Sequence, residues 1–233
     1  MKSFLSEISD DFVSLIYPHV CEGCLGPLVK GEDILCTSCL SDLPRANMHI
    51  DGNNPLAEKF KGRIPVIAAA AFLRFRKRGK VQRMLHSLKY RDRPEIGYKL
   101  GYAYGHDLVQ AGFSDPFDLI ISVPLHPSRL RSRGYNQSDE WARGISDSTA
   151  IPFRPGLLQR LRNTRTQTDR SKLSRWENVR EVFTVAYPDQ VRDKAILLAD
   201  DVVTTGATLE SCGQVLLNSG CRGFGVACIA MAQ

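Results

Sequence analysis

No stretch of this 233-residue chain approaches the ~18 uninterrupted apolar residues that a membrane-spanning helix needs. The first residues, Met1-Lys2-Ser3-Phe4-Leu5-Ser6-Glu7-Ile8-Ser9-Asp10-Asp11, place acids where a secretory signal would need an apolar core. A cytoplasmic location is therefore expected. In a reducing compartment the seven cysteines should be free thiols, and clustered ones point to a metal before disulfides. Acids are also outnumbered: 25 Asp and Glu face 31 Lys and Arg, a net charge of +6. Such a surface favours phosphate-rich ligands, nucleic acid or acidic membranes. A hydrophobic content of 43% suffices for a real core, and 24% charged residues is an ordinary globular value.

Of what is present, the most informative stretch lies near the C-terminus. The run from Ala195 to Ala199 is short, apolar and unbroken, as in a strand buried on both faces of a parallel sheet. Asp200 and Asp201 follow where that strand is expected to end. Then come Val202, Val203 and the turn Thr204-Thr205-Gly206-Ala207-Thr208, and an amphipathic helix from about Ala207 to Ser219. A strand, a turn and a helix in this order aim free backbone N–H groups at an anion. Gly206 permits close approach and the threonine hydroxyls add donors. Two carboxylates beside a phosphate cradle repel phosphate, but they accept hydrogen bonds from sugar hydroxyls. The residues therefore read as a ribose 5-phosphate site, with phosphate on Thr204 to Thr208 and ribose on Asp200 and Asp201. The alternative is an ordinary strand–turn–helix with two surface aspartates.

This run resembles the phosphoribosyl pyrophosphate (PRPP) motif of the type I phosphoribosyltransferases. The resemblance implies an α/β fold, a doubly wound, mainly parallel sheet flanked by helices. It also implies a pyrophosphate loop, often built on an unusual peptide bond, at the end of another strand. Phe117 to Val123 reads as that strand, and Val123-Pro124-Leu125-His126 is the matching loop, with Arg129 and Arg133 as cations for a diphosphate. The alternative reading is a basic surface turn. In such chemistry pyrophosphate leaves the anomeric carbon through an oxocarbenium-like state, with Mg²⁺ on diphosphate and ribose oxygens and Asp200 and Asp201 as the catalytic pair.

Near the other end, Cys21-Glu-Gly-Cys24 and Cys36-Thr-Ser-Cys39 each put two thiols on one tight turn. Two such turns complete a tetrahedron around Zn²⁺ with no open position for catalysis, as in a structural zinc ribbon. A redox dithiol pair and a ribbon that has lost its metal are the alternatives. Cys212, Cys221 and Cys228 read as small buried residues. Residues 4–16 carry helical spacing, ended by Pro18. Residues 41–65 are rich in turn formers and read as linker, which divides the chain into a helix and ribbon (1–44), a connector (45–65) and the main domain (66–233).

Between 66 and 111 the spacing predicts a strand over Val66 to Leu73, a short helix with Val81, Met84, Leu85 and Leu88 on one side, and a second helix over 95–111. Gly97, Gly101 and Gly105 form a smooth stripe on that second helix, expected to pack on the sheet. Cations crowd the first of these helices: Arg76, Lys77, Arg78, Lys80 and Lys89, with Tyr90 beside them. A basic face with a few aromatics can track a nucleic-acid backbone. It can equally hold a polyphosphate or simply be solvated. Later strands are expected at Leu157 to Leu161, Phe183 to Ala186 and Gly223 to Met231, making about five main strands.

The string Val-Pro-Leu-His-Pro…Arg-Gly-Tyr-Asn-Gln, the PRPP-like motif and the four-cysteine module together resemble the ComF family, the competence or GntX-type amidophosphoribosyltransferase-like proteins. The resemblance runs over nearly the whole chain. The cationic stretch from Arg162 to Arg180 is similar to that family's Thr-Gln…Asn-Val segment and reads as a mobile lid, with Arg165 a cation for it. Trp176-Glu177 replaces the family's usual pair before Asn178. Trp176 is a core anchor or a stacking surface. The resemblance implies PRPP as ligand and a role in natural competence, handling single-stranded DNA with competence proteins such as a helicase or a recombination mediator. It leaves open an active phosphoribosyltransferase with an unidentified acceptor and a regulatory PRPP sensor. The sequence shows no hood for a nucleobase and no N-terminal nucleophile for amide transfer.

Overall fold

The structure, a computed structural model, describes residues 19–161 and 183–232. The expected helix over 4–16 and the lid-like stretch with Arg165, Arg175 and Trp176 lie outside the described residues.

The core is a four-stranded parallel sheet of β1 (Ala69–Phe75), β2 (Leu119–Ser122), β5 (Ala195–Val203) and β6 (Gly223–Ala232), in the order β1-β6-β5-β2. The remaining strands, β3 (Leu158–Arg160) and β4 (Phe183–Val185), pair antiparallel with each other in a separate ribbon. The expected single set of about five main strands is thus four plus two among the described residues. Periodicity finds strands but does not say which of them share a ladder. The helices are α1 (Thr37–Ser41), α2 (Lys80–Tyr90), α3 (Glu95–Gln110), α4 (Pro127–Arg133), α5 (Gln137–Thr149) and α6 (Ala207–Asn218). None of the described helices is long and apolar enough to cross a membrane.

Apolar β-branched and small residues make β5 and β6 suitable for burial on both faces. Ile196, Leu197 and Leu198 on β5 and Phe224, Val226 and Ile229 on β6 are fully buried. Side chains alternate across a strand, so Phe72 and Phe224 serve opposite faces of the sheet. Phe72 and Tyr104 contact the Trp141 ring from β1 and α3, and the Trp141 indole N–H donates to the Ala227 carbonyl at 3.0 Å. Phe224 packs on Gly213 of α6. Helices therefore cover both sides, as an all-parallel sheet requires.

Two expectations need correction. The glycine stripe of α3 does not meet the sheet. A Cβ at Gly101 would collide with the Trp141 carbonyl and approach the Gly144 Cα to 3.2 Å, and one at Gly97 would reach the Glu140 Cβ at 3.1 Å. Gly144 in turn faces the Tyr98 carbonyl. The stripe brings the backbones of α3 and α5 together, and α5 then carries its other side onto β5 and β2. Second, the acids do not end β5. The strand runs on to Val203 because the ten-residue β6 is long enough to pair with it, through Asp200 opposite Cys228 and Val203 opposite Met231.

Residues 45–65 are tightly packed for a connecting segment. The Ala46 N–H donates to the Phe72 carbonyl at 2.8 Å, and Leu56 and Phe60 are fully buried. The buried Asn54 amide donates to the Met48 and Ala69 carbonyls, and its oxygen accepts from the Leu56 and Ala57 N–H groups.

Because the α3–α5 contact is backbone on backbone, a methyl group there cannot be absorbed by a rotamer change. Gly101→Ala or Gly144→Ala is expected to cost about 1–3 kcal/mol or more, read as a lower urea midpoint. Gly52→Ala, where a Cβ meets nothing within 4 Å, serves as the control. Equal midpoints for all three would contradict this packing.

Candidate functional site

β2 and β5 are parallel neighbours, with Ser122 opposite Ala199, so their carboxyl ends open side by side. Ligands of open α/β sheets collect at such ends. Two loops leave from here, Val123 to His126 after β2 and Thr204 to Gly206 after β5.

The acid pair sits at this edge, half-buried. Asp200 Oδ1 accepts from the Ser138 hydroxyl at 3.1 Å and from the Asp201 N–H at 2.8 Å. Asp201 pairs with Lys89 at 2.8 Å. Burial, followed by the charge of Asp201, pushes Asp200 up to about 7. Near the pair lies a third carboxylate, Asp139, its pKa raised by burial, held by the Ser122 hydroxyl at 2.5 Å and the Asn136 amide at 2.7 Å. Asn136 also caps α5 and donates to the Val123 carbonyl at 3.1 Å. The start of α5 thus ties the β2 loop to the acid pair on β5. Ser122, Ser138 and Asp139 were not singled out as site residues from the sequence. The one signal was the cap, since Asn136 or Ser138 is a fitting start for this helix.

The β5 loop turns through Gly206, whose φ of +82° suits glycine. Gly206 is the N-cap of α6 and offers no side-chain cap, so the dipole-positive end of a twelve-residue helix faces the loop. Thr204, Thr205, Ala207 and Thr208 are exposed. Thr205 Oγ1 accepts from the Ala207 N–H at 3.4 Å. The segment read as linker buttresses this loop. Phe60 lies under Gly206, 3.3 Å from where a Cβ would be, and Arg63 donates to the Thr205 carbonyl at 3.2 Å while pairing with Glu210.

In the β2 loop the Val123 N–H donates to the Ala199 carbonyl at 2.9 Å. Pro124 has no N–H, which leaves Leu125 and His126 as the loop's backbone donors. No cis peptide bond occurs among the described residues. His126 caps α4, accepting from the Ser128 N–H, with its Nδ1 2.7 Å from the Ser128 hydroxyl. Arg129 and Arg133 stand one turn apart on α4, a spacing that puts both on one side. Together with Lys89, Tyr90, Asp92 and Ser132 they line a cleft of about 410 Å³. The Arg133 guanidinium lies 5.2 Å from the Tyr90 ring centre and donates to Gln137 Oε1 at 2.5 Å.

The six residues expected on a nucleic-acid face are split by the fold. Lys89 and Tyr90 stand at the acid pair and the α4 arginines. Arg76, Lys77 and Arg78 are exposed on the turn between β1 and α2. Lys80 pairs with Asp42 at 2.7 Å, beside the cysteine module.

In that module the ligand atoms of Cys21, Cys24, Cys36 and Cys39 all lie within 4.8 Å of one another, and Cys24 and Cys36 are 3.8 Å apart. A tetrahedron with metal–sulfur bonds of about 2.3 Å needs sulfurs about 3.8 Å apart. Backbone N–H groups of Gly23, Gly26, Cys36 and Cys39 point at Cys21, Cys24, Cys21 and Cys36 at 3.2–3.4 Å. Burial works to raise the Cys21 thiol, but the N–H donors outweigh it and bring it down to about 6; burial pushes Cys39 up to about 12. A Cβ on Gly23 would come 3.0 Å from Cys39 Sγ. The donor set fits a metal such as zinc. The module docks on α2 and α3 through Arg83 to the Gly23 carbonyl at 2.9 Å, Arg93 to Glu22 at 3.1 Å, and Lys99 to Asp33.

The raised pKa of Asp200 has a stability consequence. Its native form binds a proton more tightly than the unfolded chain, so native stability falls as pH rises from about 4 to about 7 and is then level. Asp200→Asn mimics the protonated form. Without divalent cations it is expected to raise Tm at pH 8 and to leave Tm unchanged at pH 5. A destabilised variant at pH 8 would contradict the burial cost described here.

No family model matches the chain. It is 32% identical over 149 residues to the DNA utilization protein YhgH of Salmonella typhi, covering 63% of this chain and 65% of that protein. The corresponding protein of Escherichia coli K12 is 33% identical over 150 residues with the same coverage. Competence protein F of Haemophilus influenzae is 34% identical over 104 residues, 44% of this chain and 45% of that one. The chain thus spans at most 65% of the length of these curated relatives. Among solved structures, glutamine PRPP amidotransferase of B. subtilis is 22% identical with a TM-score of 0.40, over 57% of this chain and 26% of that one. A purine phosphoribosyltransferase of Pyrococcus horikoshii is 20% identical with a TM-score of 0.34, over 57% and 72%. These likenesses are partial and weak, and the fold description rests on the sheet order and helix placement given above. The chain is a homologue of proteins named DNA utilization protein YhgH and competence protein F, which bears out the resemblance to the ComF family read from its motifs.

Proposed function

We propose that this chain binds PRPP at the carboxyl edge of β2 and β5 and serves as an accessory factor in DNA uptake and use. The observation that carries the first part is the acid pair. Two carboxylates stand ahead of a glycine-initiated helix N-terminus, with four residues between them and Gly206, and with a lysine on one of them and a serine on the other. Sugar hydroxyls suit the carboxylates, and a 5-phosphate suits the exposed Thr204–Thr208 turn. The amides of Leu125 and His126, with Arg129 and Arg133, suit a diphosphate. Mg²⁺ held near Asp200 and Asp201 would neutralise that diphosphate. Asp201 must then exchange Lys89 for the ligand's hydroxyls, which frees the lysine to follow the negative charge.

The second part rests on the names of the relatives, DNA utilization protein and competence protein F, and on the exposed cations of the β1–α2 turn. We also propose that the four thiols hold one structural Zn²⁺, which fixes the knuckles against α2. Metal analysis of purified protein is expected to give about one zinc per chain, lost together with several degrees of Tm on chelation. Zinc-free protein of unchanged Tm would remove this part.

Calorimetry with PRPP and Mg²⁺ tests the main reading. Wild type is expected to bind, and Asp200→Asn/Asp201→Asn to lose at least about tenfold in affinity, a change of roughly 1.4 kcal/mol. Equal affinity in the two proteins, or no binding to wild type, would refute it.

A further inference from the structure

A second cleft, of about 400 Å³, lies between the first knuckle and α2. Arg78, Arg83 and Arg91 line it against the single acid Glu22, which is already paired with Arg93. Gln82 and His86 line it as well. His86 and Tyr90 are one helical turn apart on α2, and their rings are 5.0 Å apart. Tyr90 then opens onto the cleft of Lys89, Arg129 and Arg133, and is 68% exposed. The two clefts therefore adjoin at this pair of rings, one beside the Cys21–Cys24 turn and the other reaching the acid pair through Lys89. Along these clefts six cations, Arg78, Arg83, Arg91, Lys89, Arg129 and Arg133, flank two exposed rings, against Glu22 and Asp92 in the linings and the acid pair at the inner end. Phosphates at regular spacing with bases between them are the polymer this pattern fits.

We infer that this path is a track for single-stranded DNA that ends in the proposed PRPP site, so that strand and PRPP exclude each other. The exclusion rests on the reading of the acid-pair site given above. Lys89, Arg129 and Arg133 line the cleft there, and a diphosphate and the end of a strand stacked on Tyr90 would draw on the same three, Lys89 once it leaves Asp201. Both ligands cannot be neutralised by one set of charges. PRPP thus releases DNA from the inner end of the track, and the coupling is reciprocal.

The test uses the full chain in Mg²⁺ and a labelled oligothymidylate of about 15 nucleotides, followed by fluorescence anisotropy. Saturating PRPP is expected to raise the apparent Kd for the oligonucleotide about tenfold, and saturating oligonucleotide to raise that for PRPP by the same factor. Tyr90→Ala is expected to weaken the oligonucleotide roughly tenfold, and Tyr90→Phe to restore it, since stacking on a base needs the ring alone. Arg78→Glu, at the far end of the track, weakens it as well and makes its loss with salt shallower, since fewer counterions are released on binding. PRPP that binds by calorimetry yet leaves the anisotropy titration unmoved overturns the exclusion while the site stands. PRPP that does not bind overturns the site and the exclusion together. An oligonucleotide that binds Tyr90→Ala as tightly as wild type overturns the track.

Discussion

Two adjacent carboxylates on a buried strand cost free energy, and the rest of the structure is arranged around that cost. Asp200 is desolvated and sits beside a like charge, which is why its pKa is so far raised. The offsets come from three separate parts of the chain: Ser138 on α5, the backbone of Asp201 itself, and Lys89 at the end of α2. Each partner is held by a further contact. Ser138 belongs to a helix start capped by Asn136, and α2 is fixed by the knuckle carbonyl of Gly23 on Arg83. Strained electrostatics at a strand end persist only where a surrounding frame holds them.

The cysteine module acquires a role in this frame. It packs against α2 and α3 by ion pairs at Arg93 and Lys99. The helix it holds delivers Lys89 to Asp201 and Tyr90 to Arg133. The four-cysteine cluster and the acid pair are thus connected through eleven residues of helix. The α3–α5 glycine contact has a similar part, because α5 brings Ser138 to Asp200 and Asp139 to Ser122.

What could be read from the sequence was what is local. The strand, acids, turn and helix from Ala195 to Asn218 follow one another without a gap, so their chemistry is visible in order. The two cysteine pairs are visible for the same reason. What depended on distant packing was not. Nothing in Gly97, Gly101 and Gly105 says whether a smooth helix stripe meets a sheet or another helix. Phe60 and Arg63 lie in a stretch whose turn residues argued for a linker, and only the fold shows them beneath Gly206. Lys89 and Tyr90 looked like neighbours of Arg76 and Lys77. The helix between them carries them to the acid pair, leaving the others on the β1–α2 turn. The length of β5 also depended on its partner, since β6 extends the ladder past the acids.

The central claim is that the acid pair and the Gly206 turn grip one sugar phosphate between them. A crystal structure with PRPP and Mg²⁺ tests it most directly. The account predicts ribose hydroxyls on Asp200 and Asp201, the 5-phosphate at the amides and hydroxyls of Thr204 to Thr208, and Lys89 moved off Asp201. A ligand bound elsewhere, or a pocket that stays closed by the Lys89–Asp201 pair at saturating PRPP, would contradict it.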